Sequence, residues 1–506
     1  MAFRIDSKKI ARNTLTLYVR QAVTMLIAFF TVRVTLEQLG VEDYGLNNLV
    51  GSIVSMFSFV NGSMGTAVQR FYSYEIGREN TVKLKRVFGT GLYLHSLVTI
   101  VTLLLAEVFA VFFLERMNIP SERLWAAQIV FQVSVATLCI GIITVPYSAL
   151  LRAREMFAQT AMVEIVQALL RLGVLYLLIV MPFDKLVMLS LLNFGVSFAG
   201  VAAFVVMAKK FEETHSGPLR DKELVKEMLK FVSMLLFTVL ASLANTQGVI
   251  MLINLFFGLA INAAYAVAVQ VQQAVNNFVV NFKSSMVPQI MASYGAGDLN
   301  SMHRLIDFGT KITFLLLLMV TLPIVFSTQW ILELWLKTPP QYASKLVALT
   351  LISVNITSFT YFHYQGVHAS GKIVKQQMWM TGTYLTSILI IFLFFEMGLN
   401  FYYAIIVNML MGGLQACINI FFARKYLNYS IVRFVKKILL PSVVTGFAAV
   451  VCILKVLTIT EIEPIRFVYV IISDLVVVPV LSMVFLFEKT ERTKIVDCMN
   501  HFIKRV

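Results

Sequence analysis

Apolar runs of about 20 residues recur along the whole chain, separated by short polar or basic stretches. On a helix, a run of that length spans the roughly 30 Å hydrocarbon core of a bilayer. The pattern predicts an all-α polytopic membrane protein with about 14 transmembrane helices. One run breaks the rule. Between Leu259 and Phe282 nothing is charged, yet Asn262, Gln270, Gln272, Gln273, Asn276, Asn277 and Asn281 interrupt it, and Lys283 follows. At helical spacing Gln270, Gln273, Asn277, Asn281 and Ser284 share one stripe. Moving one unpaired amide from water into hydrocarbon costs about 4–8 kcal/mol, so that stripe cannot face lipid. Two placements satisfy it: a helix buried in a bundle with its amides bonded to neighbours, or a helix lining a hydrated cavity that holds a polar cargo.

Other runs carry isolated polar groups. The first contains Arg20 and Arg33; Glu37 lies one turn beyond Arg33, within pairing reach. The second is rich in small residues, which favour close helix packing, and ends in Gln69-Arg70. The fifth places Glu164, Gln167 and Arg171 on one stripe, as an internal ion pair or a coupling site. The seventh holds Asn245 and Gln247, and the fourteenth Asp474. Arg20, Arg70 and Lys283 each lie a few turns inside the inferred cytoplasmic boundary. They either snorkel to the interface or form a basic vestibule for a phosphate or diphosphate head group.

A weak internal repeat organises the chain. Phe88-Gly89-Thr90 recurs as Phe308-Gly309-Thr310, and Pro120 pairs with Pro340 at the same offset of 220. Gly40 with Gly258, Gly77 with Gly295, and Arg86 with Arg304 align at 218. Six helices per repeat preserve orientation, which predicts two parallel six-helix lobes, residues 1–215 and 216–430. Residues 431–506 would add a helix pair and a tail, with the cavity between the lobes.

The composition agrees: of 506 residues 58% are hydrophobic and 14% charged, against about 25% charged in soluble proteins. The net charge of +15 is unevenly placed. Lys and Arg crowd alternate connections, among them Lys83, Lys85, Arg86, Lys209, Lys210, Arg424, Lys425, Lys436 and Lys437. That is the positive-inside signature with both termini cytoplasmic, not a nucleic-acid footprint. The four cysteines are scattered and make neither a disulfide framework nor a metal site. Gly366 to Lys372 matches the spacing of a phosphate-binding loop but lacks the following Ser or Thr and has no preceding strand. No nucleophile–base constellation stands out, so catalytic residues, metal and cofactor are all assigned as none.

The run Asn13-Thr14-Leu15-Thr16-Leu17-Tyr18-Val19-Arg20-Gln21, then Leu39-Gly40 and Tyr44-Gly45, resembles the bacterial O-antigen and capsule oligosaccharide flippases. So do Asn245-Thr246-Gln247-Gly248, Asn254, Phe257-Gly258 and Asn262-Ala263-Ala264. These flippases belong to the multidrug/oligosaccharidyl-lipid/polysaccharide exporter superfamily. The resemblance implies two lobes, alternating access across the bacterial inner membrane, and a cationic cavity. Its implied cargo is an undecaprenyl-diphosphate-linked oligosaccharide repeat unit for surface polysaccharide; membrane lipids and other polysaccharide assembly proteins would be its partners. The depth and charge of the residues themselves nominate Arg20, Arg33, Gln69, Arg70, Asn245, Gln247, Gln270, Gln273, Asn277, Asn281 and Lys283 as cavity residues. Glu164, Arg171 and Asp474 are the coupling or ion-pair candidates. A cation-coupled multidrug exporter, which would favour acidic cavity residues, is the first alternative. A polysaccharide polymerase or ligase is the second, and it would need a larger outer loop.

Overall fold

The computed structural model describes residues 7–55, 59–113, 121–215, 217–336, 338–458 and 462–493. It is 90% helical and has no strand among those residues. The helices are α1 (Ser7–Ser55), α2 (Phe59–Gly77), α3 (Thr81–Phe113), α4 (Leu124–Ala153), α5 (Phe157–Val180), α6 (Lys185–Ala208) and α7 (Lys222–Gly295). They continue as α8 (Leu299–Phe326), α9 (Thr328–Leu336), α10 (Ala343–Ser358), α11 (Tyr361–Ser370), α12 (Val374–Glu396) and α13 (Tyr402–Leu427). A short α14 (Ile431–Phe434), α15 (Leu440–Val456) and α16 (Glu463–Leu481) complete the set.

Among the described residues eleven helical stretches are long and apolar enough to cross a membrane. The other three expected crossings are the two parts of the N-terminal pair and the part of α7 after Gly258. The part of α7 after Gly258 is diluted by its amides. The architecture is consistent with about 14 membrane helices.

Two glycines shape the two longest helices. Gly40 has φ 74° and ψ 175°, and Gly258 has φ 78° and ψ −176°. Only a residue without Cβ occupies that region readily, so each long helix kinks where the sequence supplies glycine. The correspondence continues downstream. Gly77 and Gly295 each end a helix; Glu79 and Gly297 each take positive φ. Asn80 and Asp298 then cap the next helix, accepting from the backbone N–H of Lys83 at 3.0 Å and of Ser301 at 2.9 Å. Gly89 and Gly309 both sit where a Cβ would collide, against Gly217 and Leu219 in one case and Phe362 and Met286 in the other. Pro120 lies outside the described residues.

The chain divides into two compact units, Ala11–Val232, and Ser233–Val506 together with Met1–Ile10. In the first unit Leu46, Val50, Ala106, Phe131 and Leu186 form an apolar core where α1, α3, α4 and α6 meet. Arg123 ties that region down, donating to Asp43 at 2.8 Å and pairing with Asp184, which itself caps α6. In the second unit Phe282, Met286, Phe362, Leu427 and Ile438 form one core. Val249, Ala268, Val279, Val347 and Ala404 belong to another. Phe314, Leu318, Ile453, Val470 and Val478 seat α15 and α16 on α8.

Candidate functional site

After Gly258, α7 presents three faces. Ala264, Ala268, Val275, Val279, Phe282 and Met286 are buried in the second unit's core. Gln270, Gln273, Asn277 and Ser284 are exposed, and Asn281 at the edge of their stripe is buried. Between the two faces, seven residues apart and so on one side of the helix, Asn276 and Lys283 line a cavity.

This cavity lies wholly within the second unit and has a volume of about 350 Å³. Thr238 and Ser242 reach it from the first half of α7, one turn apart. Thr357, Ser358, Thr360, Tyr361 and Tyr364 come from the break between α10 and α11 and the turns beside it. Irregular backbone at membrane depth is tolerated where it is buried in protein or borders a polar cavity. Tyr384 on α12 and Gln415 and Asn419 on α13 close the far wall. Gly412, also on α13, lets that helix approach α10; a Cβ there would lie 2.6 Å from the Thr357 methyl.

Among the described residues Lys283 is the only charged side chain in this lining. It is 9% exposed, and its Nζ sits 4.7 Å from the centre of the Tyr361 ring. Among the described residues no carboxylate lies within ion-pair distance of it. Behind the wall runs a hydrogen-bonded polar layer. Gln365 donates to the Tyr361 hydroxyl at 3.1 Å and Gln377 to that of Tyr364 at 3.0 Å. Gln376 donates to Asn419 at 2.9 Å, and Gln415 to Thr383 at 2.8 Å. The layer holds the lining side chains without filling the cavity.

The other nominated residues fall elsewhere. Asn245 is buried and donates to the Tyr384 carbonyl at 3.1 Å, a helix-to-helix tie, while Gln247 is exposed. In the first unit Arg20 pairs with Glu164 at 2.6 Å. Glu164 thus meets α1 and not its stripe neighbour Arg171, which instead donates to Ser197 at 3.4 Å. Gln69 is half-buried. Arg70 is 4% exposed, 3.7 Å from Glu227, and flanked by the rings of Phe71, Tyr74 and Phe231. The Arg33 side chain lies outside the described residues. Asp474 is 1% exposed on α16, and its carboxylate oxygens have no partner among the described residues. The stretch that matched phosphate-loop spacing only by chance forms the end of helix α11, with Gly366 buried inside it and Gly371 capping it at φ 73°. Sequence reading missed Thr238, Ser242, Tyr384, Gln415 and Asn419 as cavity residues. The signal was there: Thr238 with Ser242 and Gln415 with Asn419 are polar pairs one turn apart in apolar runs.

Three comparisons bear on the geometry. The MatE family pattern matches residues 19–177. The "Uncharacterized membrane protein EpsK" of Bacillus subtilis (strain 168) is 23% identical over 306 residues, 59% of this chain and 60% of its own length. The alignment thus spans less than two thirds of that curated relative. Among solved structures, a multidrug resistance MATE family transporter of the MOP superfamily, in an outward-facing conformation, superposes with a TM-score of 0.69. It is 13% identical, over 84% of this chain and 97% of that one. A MATE crystal structure in the bent conformation gives 0.71 at 14% identity, over 83% and 95%. A MOP superfamily transporter from Pyrococcus furiosus gives 0.64 at 13% identity, over 84% and 97%. The fold is that of the MATE-like transporters.

Proposed function

We propose that this chain is a transporter of the MOP type that moves a lipid-linked oligosaccharide across the bacterial inner membrane by alternating access. One observation carries the reading. The cavity inside the second unit is walled by amides, hydroxyls and phenols, with a single cation and no carboxylate among the described residues. An exporter of cationic drugs needs negative charge or acceptor-rich walls at its binding site, and a buried ammonium there would repel its cargo. A glycan needs donors and acceptors in number, with flat faces to rest on. The exposed amides of α7 add to this, because in a membrane-crossing helix they require water or polar cargo in front of them. The polyprenyl tail would remain in lipid.

The solved transporter from Pyrococcus furiosus is described as having a binding pocket of reversed polarity that suggests a different function. A lysine-bearing pocket in this chain fits the idea that the fold serves cargo of more than one charge. Cytoplasmic placement of both termini follows from the basic connections. No catalytic step is invoked.

Deleting the gene should cause lipid-linked oligosaccharide to accumulate on the cytoplasmic side and surface polysaccharide to disappear. The Lys283→Glu variant, expressed at wild-type level, should fail to restore it. Normal delivery of the intermediate in the deletion strain, with increased drug sensitivity instead, would favour the multidrug exporter.

A further inference from the structure

We infer that the cavity around Lys283 is a subsite for one acidic sugar residue of the cargo, a uronate-class ring whose carboxylate supplies the counter-charge that the protein omits. This rests on the reading that the cargo carries a glycan, and it assigns Lys283 to the sugar and not to a diphosphate.

An ammonium withdrawn from water into a protein interior needs an anion or a set of acceptors. The Tyr361 ring offers only its quadrupole, and the remaining lining is neutral. The charge is therefore provided for and its partner is not. One ammonium matches one carboxylate; a diphosphate brings at least two charges and calls for more cations than this cavity holds. The phenols strengthen the case. Tyr361 and Tyr364 each accept a hydrogen bond from a glutamine, which leaves each O–H free to donate. Thr238, Thr357 and Ser358 donate their O–H to backbone carbonyls and remain as acceptors. The two phenols and Lys283 are therefore the donors available to the oxygens of an acidic sugar. Asn276 and Gln415 add amides that can both donate and accept, suited to ring hydroxyls. A volume of about 350 Å³ lies near the lower end of the range of about 300–1,000 Å³ for small-molecule sites. It suits one ring and not a chain of them.

The test uses the purified full-length protein in detergent, with thermal unfolding as the readout and ionic strength held constant. Glucuronate should raise the midpoint by about 2–4 °C at saturating concentration, and glucose and the methyl ester of glucuronate by much less. Lys283→Met should abolish the difference between acid and ester, and Lys283→Arg should keep most of it. Should Lys283→Met fold poorly, the acid-to-ester comparison on the wild-type protein and on Tyr364→Phe still decides. Equal stabilisation by acid and ester would overturn the proposal, as would stabilisation by inorganic phosphate with none by glucuronate. Either result leaves untouched the accumulation of lipid-linked intermediate in the deletion strain, so this assignment and the flippase reading fail separately.

Discussion

A methyl group at position 40 or 258 would have to occupy a backbone conformation near φ +75° with extended ψ, a region essentially reserved for glycine. Among the described residues neither glycine is crowded; no heavy atom of theirs lies within 4 Å of a Cβ built on it. The cost of Gly258→Ala is therefore conformational alone, about 1–3 kcal/mol, and should appear as a lower unfolding midpoint. Gly382→Ala is the control: it lies inside a helix with open space around it, so the change should be neutral or slightly stabilising. At the same scale Arg20 and Glu164 form one unit. Glu164→Gln exchanges the charged partner of the Arg20 guanidinium for a neutral amide on a side chain 40% exposed, a loss of up to about 1 kcal/mol. Adding Arg20→Gln should recover part of that loss, and a double-mutant cycle on thermal unfolding reads it directly. Sequence reasoning placed both charges inside the membrane but gave Glu164 the wrong neighbour. Periodicity along one helix ranks neighbours on that helix and is silent about side chains arriving from another.

At the scale of the element, α7 shows what periodicity reveals and what it conceals. The polar stripe from Gln270 to Asn277 was legible and is exposed. Lys283, expected with Arg20 and Arg70 in a basic vestibule, instead turns with Asn276 into the second unit's own cavity. At 100° per residue the two faces are neighbours, and only packing decides between them. The break between α10 and α11 was hidden because Phe359-Thr360 contains neither glycine nor proline. The C-terminal segment after α16 is held by two ion pairs of different kinds. Lys311, 1% exposed, meets Glu491 at 2.7 Å, whereas Lys437 meets Glu488 at 2.8 Å with both side chains near half exposure. Removing Glu491 strands a buried ammonium and should cost about 3–5 kcal/mol; removing Glu488 should cost under about 1 kcal/mol. The hydrogen bond from Lys437 lowers the Glu488 pKa below its usual 4.5. Its small contribution is thus complete above pH 4.5 and fades as pH drops through the lowered value. Hydrogen exchange of residues 482–493 should quicken far more in Glu491→Gln than in Glu488→Gln at pH 7. The gap should persist down to about pH 5.

For the whole molecule, the helical membrane architecture and the paired kinks and caps were readable because each depends on few residues. A helix must be about 20 apolar residues long to span a bilayer, and a kink or cap needs glycine, asparagine or aspartate at a fixed place. Gly40 and Gly258, Gly77 and Gly295, and Asn80 and Asp298 are such places. Cavity walls gathered from α7, α10, α11, α12 and α13 were less readable, since no single run contains them. What the transport proposal requires of the molecule is water at the exposed stripe of α7. A membrane-crossing helix with Gln270, Gln273 and Asn277 on its surface is stable only if those amides meet water, since hydrocarbon would cost several kcal/mol for each. In a variant with the native cysteines replaced, Gln270→Cys, Gln273→Cys and Asn277→Cys should react with a membrane-impermeant thiol reagent from one side of the membrane. Val443→Cys and Phe447→Cys serve as references; both positions are exposed and apolar, on a face of α15 that carries no amide. As exposed apolar positions of a candidate membrane span they should stay unmodified. Bound cargo should slow the first set and leave the second unchanged. Labelling of the amide positions no faster than the two references would place the stripe against lipid or packed protein and remove the hydrated path that transport needs.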